Sequence, residues 1–308
     1  MKVYRSIEEF ENKGKTAVTI GTYDGVHSGH KVIIKQLKNE AKKIVGESVL
    51  LTFFPHPRMV LYPDDNDLRL LNTIEERIEL LAKAGIDHLI IHPFSKEFSR
   101  LSSTEFVRDI LVNQLNVASL VIGYDHHFGR NREGSFEHLQ ELAPLYDFKV
   151  EEIAAQAIQQ VNISSTKIRN SLNNGEINAA NQFLGYNYFI EGTVVEGNQK
   201  GREIGFPTAN IKVDEWYKLV PAKGVYAVKV FIDNACFDGM LNIGTRPTID
   251  GTTETIEVNI FNFNQNIYNK TVRIEFYERI RSEQKFKQFS DLKKQLEIDK
   301  EKTIQVLQ

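Results

Sequence analysis

The sequence predicts two architectures in one chain: a doubly wound parallel α/β sheet over residues 1–185, then an antiparallel β-barrel with a C-terminal helix over residues 186–308. Three observations predict this. Strand-like and helix-like runs alternate through the first part. Near residue 186 the long helical patterns stop, and short strand-like runs separated by Gly, Asn and Asp take over. A length of 308 residues also suits two domains better than one.

In the first part KTAVTIG, SVLLTFF, DHLIIHPF and ASLVIG read as short buried strands rich in Val, Ile, Leu and Phe. Between them, HKVIIKQLKNEAKKI puts Ile33, Leu37, Ala41 and Ile44 on one face at helical spacing. TIEERIELLAKAG opens with a capping box, Thr73 and Glu76, and closes on Gly85. SSTEFVRDILVNQLN offers a second box, Ser102 with Glu105. In the second part YFIEGTVVEG, GVYAVKVFI, CFDGMLNIG, TIEVNIFNF and KTVRIEFYERI read as strands. FSDLKKQLEIDKEKTIQVL reads as the last helix, with Phe289, Leu292 and Leu296 as its apolar stripe.

Composition narrows the function. Hydrophobic residues are 41% and charged residues 26%, a globular mix, and the net charge of −3 gives no basic excess for a polynucleotide. Cys236 is the single cysteine, so no internal disulfide or thiolate cluster can form. The opening MKVYRSIEEFENKGK has no apolar signal core, and no run is long enough to cross a bilayer. The expectation is a soluble cytoplasmic protein acting on small molecules.

GTYDGVHSGH falls where a strand ends and a helix begins, the place where open α/β sheets bind ligands. Gly21, Gly25 and Gly29 let a nucleotide approach the backbone. A helix mouth attracts phosphate, and His27 and His30 can donate to charge developing on it. A metal pair and a purely structural pair are the alternatives for these histidines. Far along the chain ISSTKIRNSLNNGE sets Ser164, Ser165 and Thr166 before Lys167 and Arg169. Hydroxyls and a guanidinium there suit phosphate, and bases at a helix start oppose the dipole unless an anion is present. An ordinary N-cap is the plain alternative.

Two further segments follow strand ends. TFFPHPR carries Phe53, Phe54, His56 and Arg58, aromatics able to stack on a planar ring or to fill a core. IGYDHHFGR carries Asp125 and the adjacent His126 and His127, which point apart on an extended chain. In the second part GTVVEGNQKGREIGFPTAN brings Gly197, Gly201 and Gly205 before Thr208 and Asn210. It is neither a Walker A loop nor a dinucleotide fingerprint. If extended, it puts Thr208 and Asn210 on one face, hard oxygen donors suited to Mg²⁺ with nucleotide phosphates. In TIEVNIFNF, Ile256, Val258 and Ile260 face one way and Glu257 and Asn259 the other. Glu257 is then a general base or a solvated strand residue.

HSGH followed at long range by ISSTKIR resembles the HxGH nucleotidyltransferases. With TFFPHPR, IGYDHHFGRNREGS, GREIGFPTANI, LVPAKGVYAV, LNIGTRPTID, IEVNIF and YERIRSEQKF, the chain looks like the prokaryotic bifunctional riboflavin kinase/FAD synthetases. The resemblance implies FMN adenylylation in residues 1–185 and a six-stranded riboflavin kinase barrel with its helix in residues 186–308. It implies riboflavin, FMN and ATP as substrates, and Mg²⁺ with the ATP. His27, His30, Arg169 and Glu257 would be catalytic. Gly21, Asp24, His27, His30, Ser164, Ser165, Thr166 and Arg169 would hold the first ATP, and Phe54, His56 and Asp125 the flavin beside it. Gly201, Gly205, Thr208 and Asn210 would hold the second ATP, with the metal on Thr208 and Asn210, and Arg281 would meet the second flavin. Two segments depart from the family pattern: DHHFG stands where DFRFG is usual, and EGNQKGR where HGDxxGR is usual. An HxGH enzyme with another phosphate acceptor and a non-enzymatic binding module are the rival readings.

Overall fold

The structure, a computed structural model, describes residues 1–11, 14–64, 67–123, 128–130, 133–153, 163–197, 201, 205–233, 235–248, 251–286 and 288–308. By contacts the chain divides into two compact units, Met1–Ser165 and Thr166–Gln308.

The first unit is built on a parallel sheet of six strands: β1 (Lys2–Tyr4), β2 (Thr16–Ile20), β3 (Glu47–Phe53), β4 (His88–His92), β5 (Val117–Gly123) and β6 (Lys149–Ile153). Their spatial order is β1-β4-β3-β2-β5-β6. Consecutive residues of one strand enter different cores. Val18, Val49, Leu51, Ile90 and Leu120 join one cluster, while Ala17, Leu50, Leu89, Ile91 and Val121 join another. That is the doubly wound arrangement: helices cover both faces, so the inner strands read as continuous apolar runs. The four expected strands are the inner ones. β1 and β6 escaped the sequence reading because they are short edge strands with mostly exposed or half-buried residues.

Helix α1 is Ser28–Lys43 and α2 is Pro57–Leu61. Helix α3, Ile74–Ala84, has the expected Thr73/Glu76 capping box and a left-handed Gly85 cap. The Ser102/Glu105 box is also present; it opens α4, Ser103–Glu105, which continues as a π-helical stretch, Phe106–Gln114. Helix α5 is Phe136–Leu142. In α1 the buried face centres on Ile34, Leu37 and Ala41, with Ile33 and Ile44 at its margins, a small rotation from the expected stripe.

The second unit opens within helix α6 (Ser165–Asn174), continues through α7 (Ile177–Leu184) and then forms the barrel. Its strands are β7 (Phe189–Val195), β8 (Ala209–Lys212), β9 (Gly224–Ile232), β10 (Ala235–Thr248), β11 (Gly251–Ile260) and β12 (Thr271–Arg281). They close in the order β10-β11-β8-β7-β12-β9 with every pairing antiparallel. Alternation puts Ile190, Val194, Val228, Val230, Val258, Ile274 and Phe276 in the buried set.

Helix α8, Phe289–Leu307, differs from its expected stripe. Phe289 is 64% exposed, and the deepest residues are Asp299 and Thr303, both at 0%. The reason is an ion pair. Arg281 at the end of β12 reaches Asp299 from Nε and Nη2 at 2.8–3.0 Å, and a buried carboxylate held this way takes the place expected for the aromatic at the helix start.

Candidate active sites

In the first unit β2 lies at the point where strand order reverses, with β3 leading to one side and β5 to the other. This is where open α/β sheets form a ligand crevice. The chain leaving β2 turns sharply into α1. Tyr23, Gly25 and Val26 have φ of 47°, 89° and 36°. Val26 is β-branched, so its left-handed backbone is costly and must be held by its surroundings. The clamp is Asp24, which is fully buried. Its carboxylate accepts from the backbone N–H of Leu71 at 2.9 and 3.1 Å and from that of Asn72 at 3.3 Å. Gly21 leaves room for the Tyr23 ring; a Cβ there would stand 3.0 Å from it.

His27 is the N-cap of α1, its Nδ1 accepting the His30 N–H at 3.3 Å. That fixes the tautomer and leaves Nε2 as the donor. The two imidazoles stack with centroids 3.6 Å apart and planes 16° apart, and the Tyr23 ring lies 4.8 Å from His30. Burial holds the His30 imidazole well below its ordinary range, and proximity to the His27 ring and the Arg77 charge push the same way. His30 is therefore a neutral hydrogen-bonding group at physiological pH.

One residue of the second phosphate motif, Ser165, reaches the turn that carries the first. Ser165 Oγ donates to the Asp24 carbonyl at 2.9 Å, joining residues 141 positions apart. Thr166 and Arg169 lie on α6, exposed and half-buried respectively, and Ser164 is exposed before it. On the expected flavin side Phe53 belongs to one core cluster, with Phe94 at 5.5 Å. Phe54 is half-buried against the other, the cluster holding Tyr23 and Val26. His56 caps α2, its Nδ1 accepting the Arg58 N–H at 3.1 Å. Asp125, His126 and His127 lie outside the described residues.

In the barrel, β11 and β8 pair in a register that sets Glu257 directly opposite Asn210. Facing residues in such a pair stand about 5 Å apart at Cβ. Asn242 of β10 is the neighbour of Glu257 on its other side. Thr208, just before β8, lines a cavity of about 370 Å³ with Val194, Pro207, Val258 and Ile260 and the loop around Asn264. The glycines of the preceding loop have a specific job. A Cβ on Gly197 would stand 2.0 Å from Asn210 Nδ2, and one on Gly201 would stand 2.2 Å from the Phe206 carbonyl and 3.4 Å from Thr208 Oγ1. The bare backbone of these glycines thus packs against the Asn210 and Thr208 side chains, which leaves no room for a Cβ at either position. Gly205, with φ of 84° and open space around it, turns the chain toward Pro207.

Three groups escaped the sequence reading. Asn242 is found only from strand register. Asn259, expected on the same face of β11 as Glu257, is 7% exposed, and its Nδ2 donates to the Pro207 carbonyl at 2.6 Å and so fixes the turn into β8. Asp299 takes the Arg281 guanidinium, whose Nη1 also donates to the Ser282 carbonyl at 3.0 Å. The one available signal for Asp299 was its helical spacing from Leu292 and Leu296.

Known proteins match both halves. A family model described as FAD synthetase matches residues 9–167, and one described as riboflavin kinase matches residues 184–307. The bifunctional riboflavin kinase/FMN adenylyltransferase of Haemophilus influenzae is 40% identical over 92% of each chain. That of Bacillus subtilis is 36% identical over 96% of this chain and 93% of its own. Among solved structures, one described as a macrolide-efflux protein from Streptococcus pneumoniae matches with a TM-score of 0.88 and 32% identity over 98% of each chain. Among the described residues no helix is long and apolar enough to cross a membrane. The chain belongs to the family of bifunctional riboflavin kinases/FMN adenylyltransferases.

Proposed function

We propose that the barrel phosphorylates riboflavin at the Glu257–Asn210 pair and that the first unit adenylylates the resulting FMN at the HSGH turn. The observation that carries this reading is the register placing Glu257 opposite Asn210, two residues along the chain from Thr208. In the kinase step Glu257 takes the proton from the ribityl 5′-hydroxyl, and that oxygen attacks the γ-phosphorus of ATP with ADP leaving. Thr208 and Asn210 would hold Mg²⁺, which when bound neutralises phosphate charge. Gly201 and Gly205 bring backbone to the nucleotide. Arg281 serves the flavin side by anchoring α8 through Asp299.

In the adenylyl transfer an FMN phosphate oxygen attacks the α-phosphorus of a second ATP, and pyrophosphate leaves. The nucleophile is already ionised, so the site needs charge stabilisation rather than a base. His27 and His30 donate to the phosphate, and Ser164, Ser165, Thr166 and Arg169 complete its binding. Gly21 and Asp24 shape the turn. Phe54, His56 and Asp125 form the flavin side. A functional boundary near residue 185 is supported by the riboflavin kinase match, which begins at residue 184. The dependence on ATP fits a cytoplasmic enzyme.

Incubation with riboflavin, ATP and Mg²⁺, followed by separation of the flavins, tests both halves. Glu257→Gln should stop FMN formation and still convert supplied FMN to FAD. His30→Ala should accumulate FMN without FAD. If each variant keeps the activity assigned to its residue, the sites lie elsewhere.

A further inference from the structure

We propose that Arg279 of β12, a residue of the kinase barrel, is a positioning residue for adenylyl transfer: it fixes the end of α6 and so the placement of Thr166 and Arg169 on that helix. This rests on the reading of Ser165, Thr166 and Arg169 as the second phosphate motif. The FAD synthetase match ends at residue 167 and the riboflavin kinase match begins at 184, so Arg169 and most of α6 fall between the two. By contacts the helix beyond Ser165 belongs with the barrel.

The end of α6 is built for this. Gly175 has φ of 77°, its N–H donates to the Leu172 carbonyl at 3.0 Å, and the Glu176 N–H donates to the Ser171 carbonyl at 2.8 Å. These two bonds make a Schellman cap, which leaves the last carbonyl of the helix to find a partner elsewhere. Arg279 supplies it: Nη1 donates to the Asn174 carbonyl at 3.2 Å. A cation at this end also complements the helix dipole. Nη2 of the same guanidinium donates to the Lys223 carbonyl, just before β9. The Ala222 N–H adds a second tie, to the Leu172 carbonyl at 2.9 Å. One arginine thus bridges the end of α6 and the start of a barrel strand.

The Arg279 side chain lies in a slot between two glycines. A Cβ on Gly175 would stand 2.6 Å from its Cδ and 2.7 Å from Nη1, and a Cβ on Gly224 would stand 2.8 Å from its Nε. Register shifts of β12 against β9 fall on both sides of it, between Phe276 and Glu278 and between Arg279 and Arg281. Such irregularities re-aim a side chain. The next helix is held by the same strand, since Asn181 of α7 donates to the Phe276 carbonyl at 2.9 Å.

Helix α6 has ten residues, and Arg169 is less than two turns from Asn174. Over so short a helix a displaced end carries the phosphate motif with it. Transfer between aligned groups is sensitive to that, a shift of about 1 Å costing about 100-fold.

The test uses the full chain with three readouts: FAD formed from supplied FMN, FMN formed from riboflavin, and hydrogen exchange of the α6 amides. Arg279→Met, which frees the Asn174 carbonyl but leaves the Ala222 tie, should lower kcat/KM for ATP in FAD formation about 10-fold. The KM for FMN should stay within about twofold, because Phe54 and His56 lie outside α6. FMN formation should stay within about twofold, and exchange should rise in α6 but not in β9 or β12. Arg279→Lys, which can still donate to the Asn174 carbonyl, should restore FAD formation to within about threefold. Gly175→Ala crowds the same guanidinium and should show the same selective loss. The double variant Gly175→Ala with Arg279→Met should lose no more than the worse single variant, because both changes break one contact. Full FAD turnover in Arg279→Met, equal loss of both activities, failure of Arg279→Lys to rescue, or losses that multiply in the double variant each refute the proposal. If Arg279→Met does not fold, Gly175→Ala decides: slow FAD formation with native FMN formation supports the proposal, and any other result refutes it. Arg169→Ala with full FAD turnover would instead refute the reading of the phosphate motif.

Discussion

Asp299→Ala tests what holds the last helix to the barrel. In the native chain Arg281 Nε donates to Asp299 Oδ1 and Oδ2 at 3.0 and 2.9 Å, and Nη2 stands 2.8 Å from Oδ2. Gln295 Nε2 adds a bond to Oδ1 at 2.9 Å. The Asp299 side chain is fully buried and that of Arg281 is 16% exposed. Removing one partner of a buried pair strands the other, at a cost of about 3–5 kcal/mol. Because Arg281 keeps some contact with water, the lower end, about 3 kcal/mol, is expected. That is roughly a 150-fold change in the folding equilibrium of the second unit. Trp216 is the single tryptophan of the chain and belongs to this unit, so urea unfolding followed by its fluorescence reports on the barrel selectively. Replacing both partners, Asp299→Leu with Arg281→Met, removes the stranded charge and should recover most of the loss. A single variant within about 1 kcal/mol of native, or a double variant no better than the single, refutes the reasoning. Kinase turnover of a stable double variant separates the roles of Arg281. Activity near native means it acts as an anchor, and loss of riboflavin affinity means it also touches the flavin.

Gly197→Ala should depress FMN formation at least about tenfold by displacing the Asn210 amide, because the new Cβ would stand 2.0 Å from Nδ2. FAD formation from supplied FMN should be unaffected, and a kinase at full rate would show that the Asn210 position does not matter. His30 makes the first unit sensitive to acid. Its folded pKa is lowered, so below about pH 6.5 the unfolded chain binds a proton that the folded chain refuses. Stability is therefore present above that pH and lost as pH falls through and below it. Thermal unfolding at pH 7.5 and 5.5 should show a smaller acid loss in His30→Gln than in the native chain; equal losses would show that His30 is not involved.

Local pattern was enough for most elements. Thr73 with Glu76 and Ser102 with Glu105 announced two helix starts because a capping box is satisfied within four residues. The inner strands announced themselves because burial on both faces requires continuous apolar runs. The edge strand Lys149–Ile153 did not, since an edge strand need be apolar on neither face. The stripe on the last helix misled for a related reason: a buried Asp held by Arg281 looks polar in sequence and behaves as core.

The sequence by itself determined the two fold classes, the family and the types of residue at each site, because motif spacing and periodicity are local properties of the chain. Tertiary structure decided which of those residues meet. Ser165 reaches the Asp24 carbonyl across the first unit, and Glu257 faces Asn210 only through strand register. These contacts depend on how separate segments pack, and no local rule relates residues that become neighbours only when the core closes.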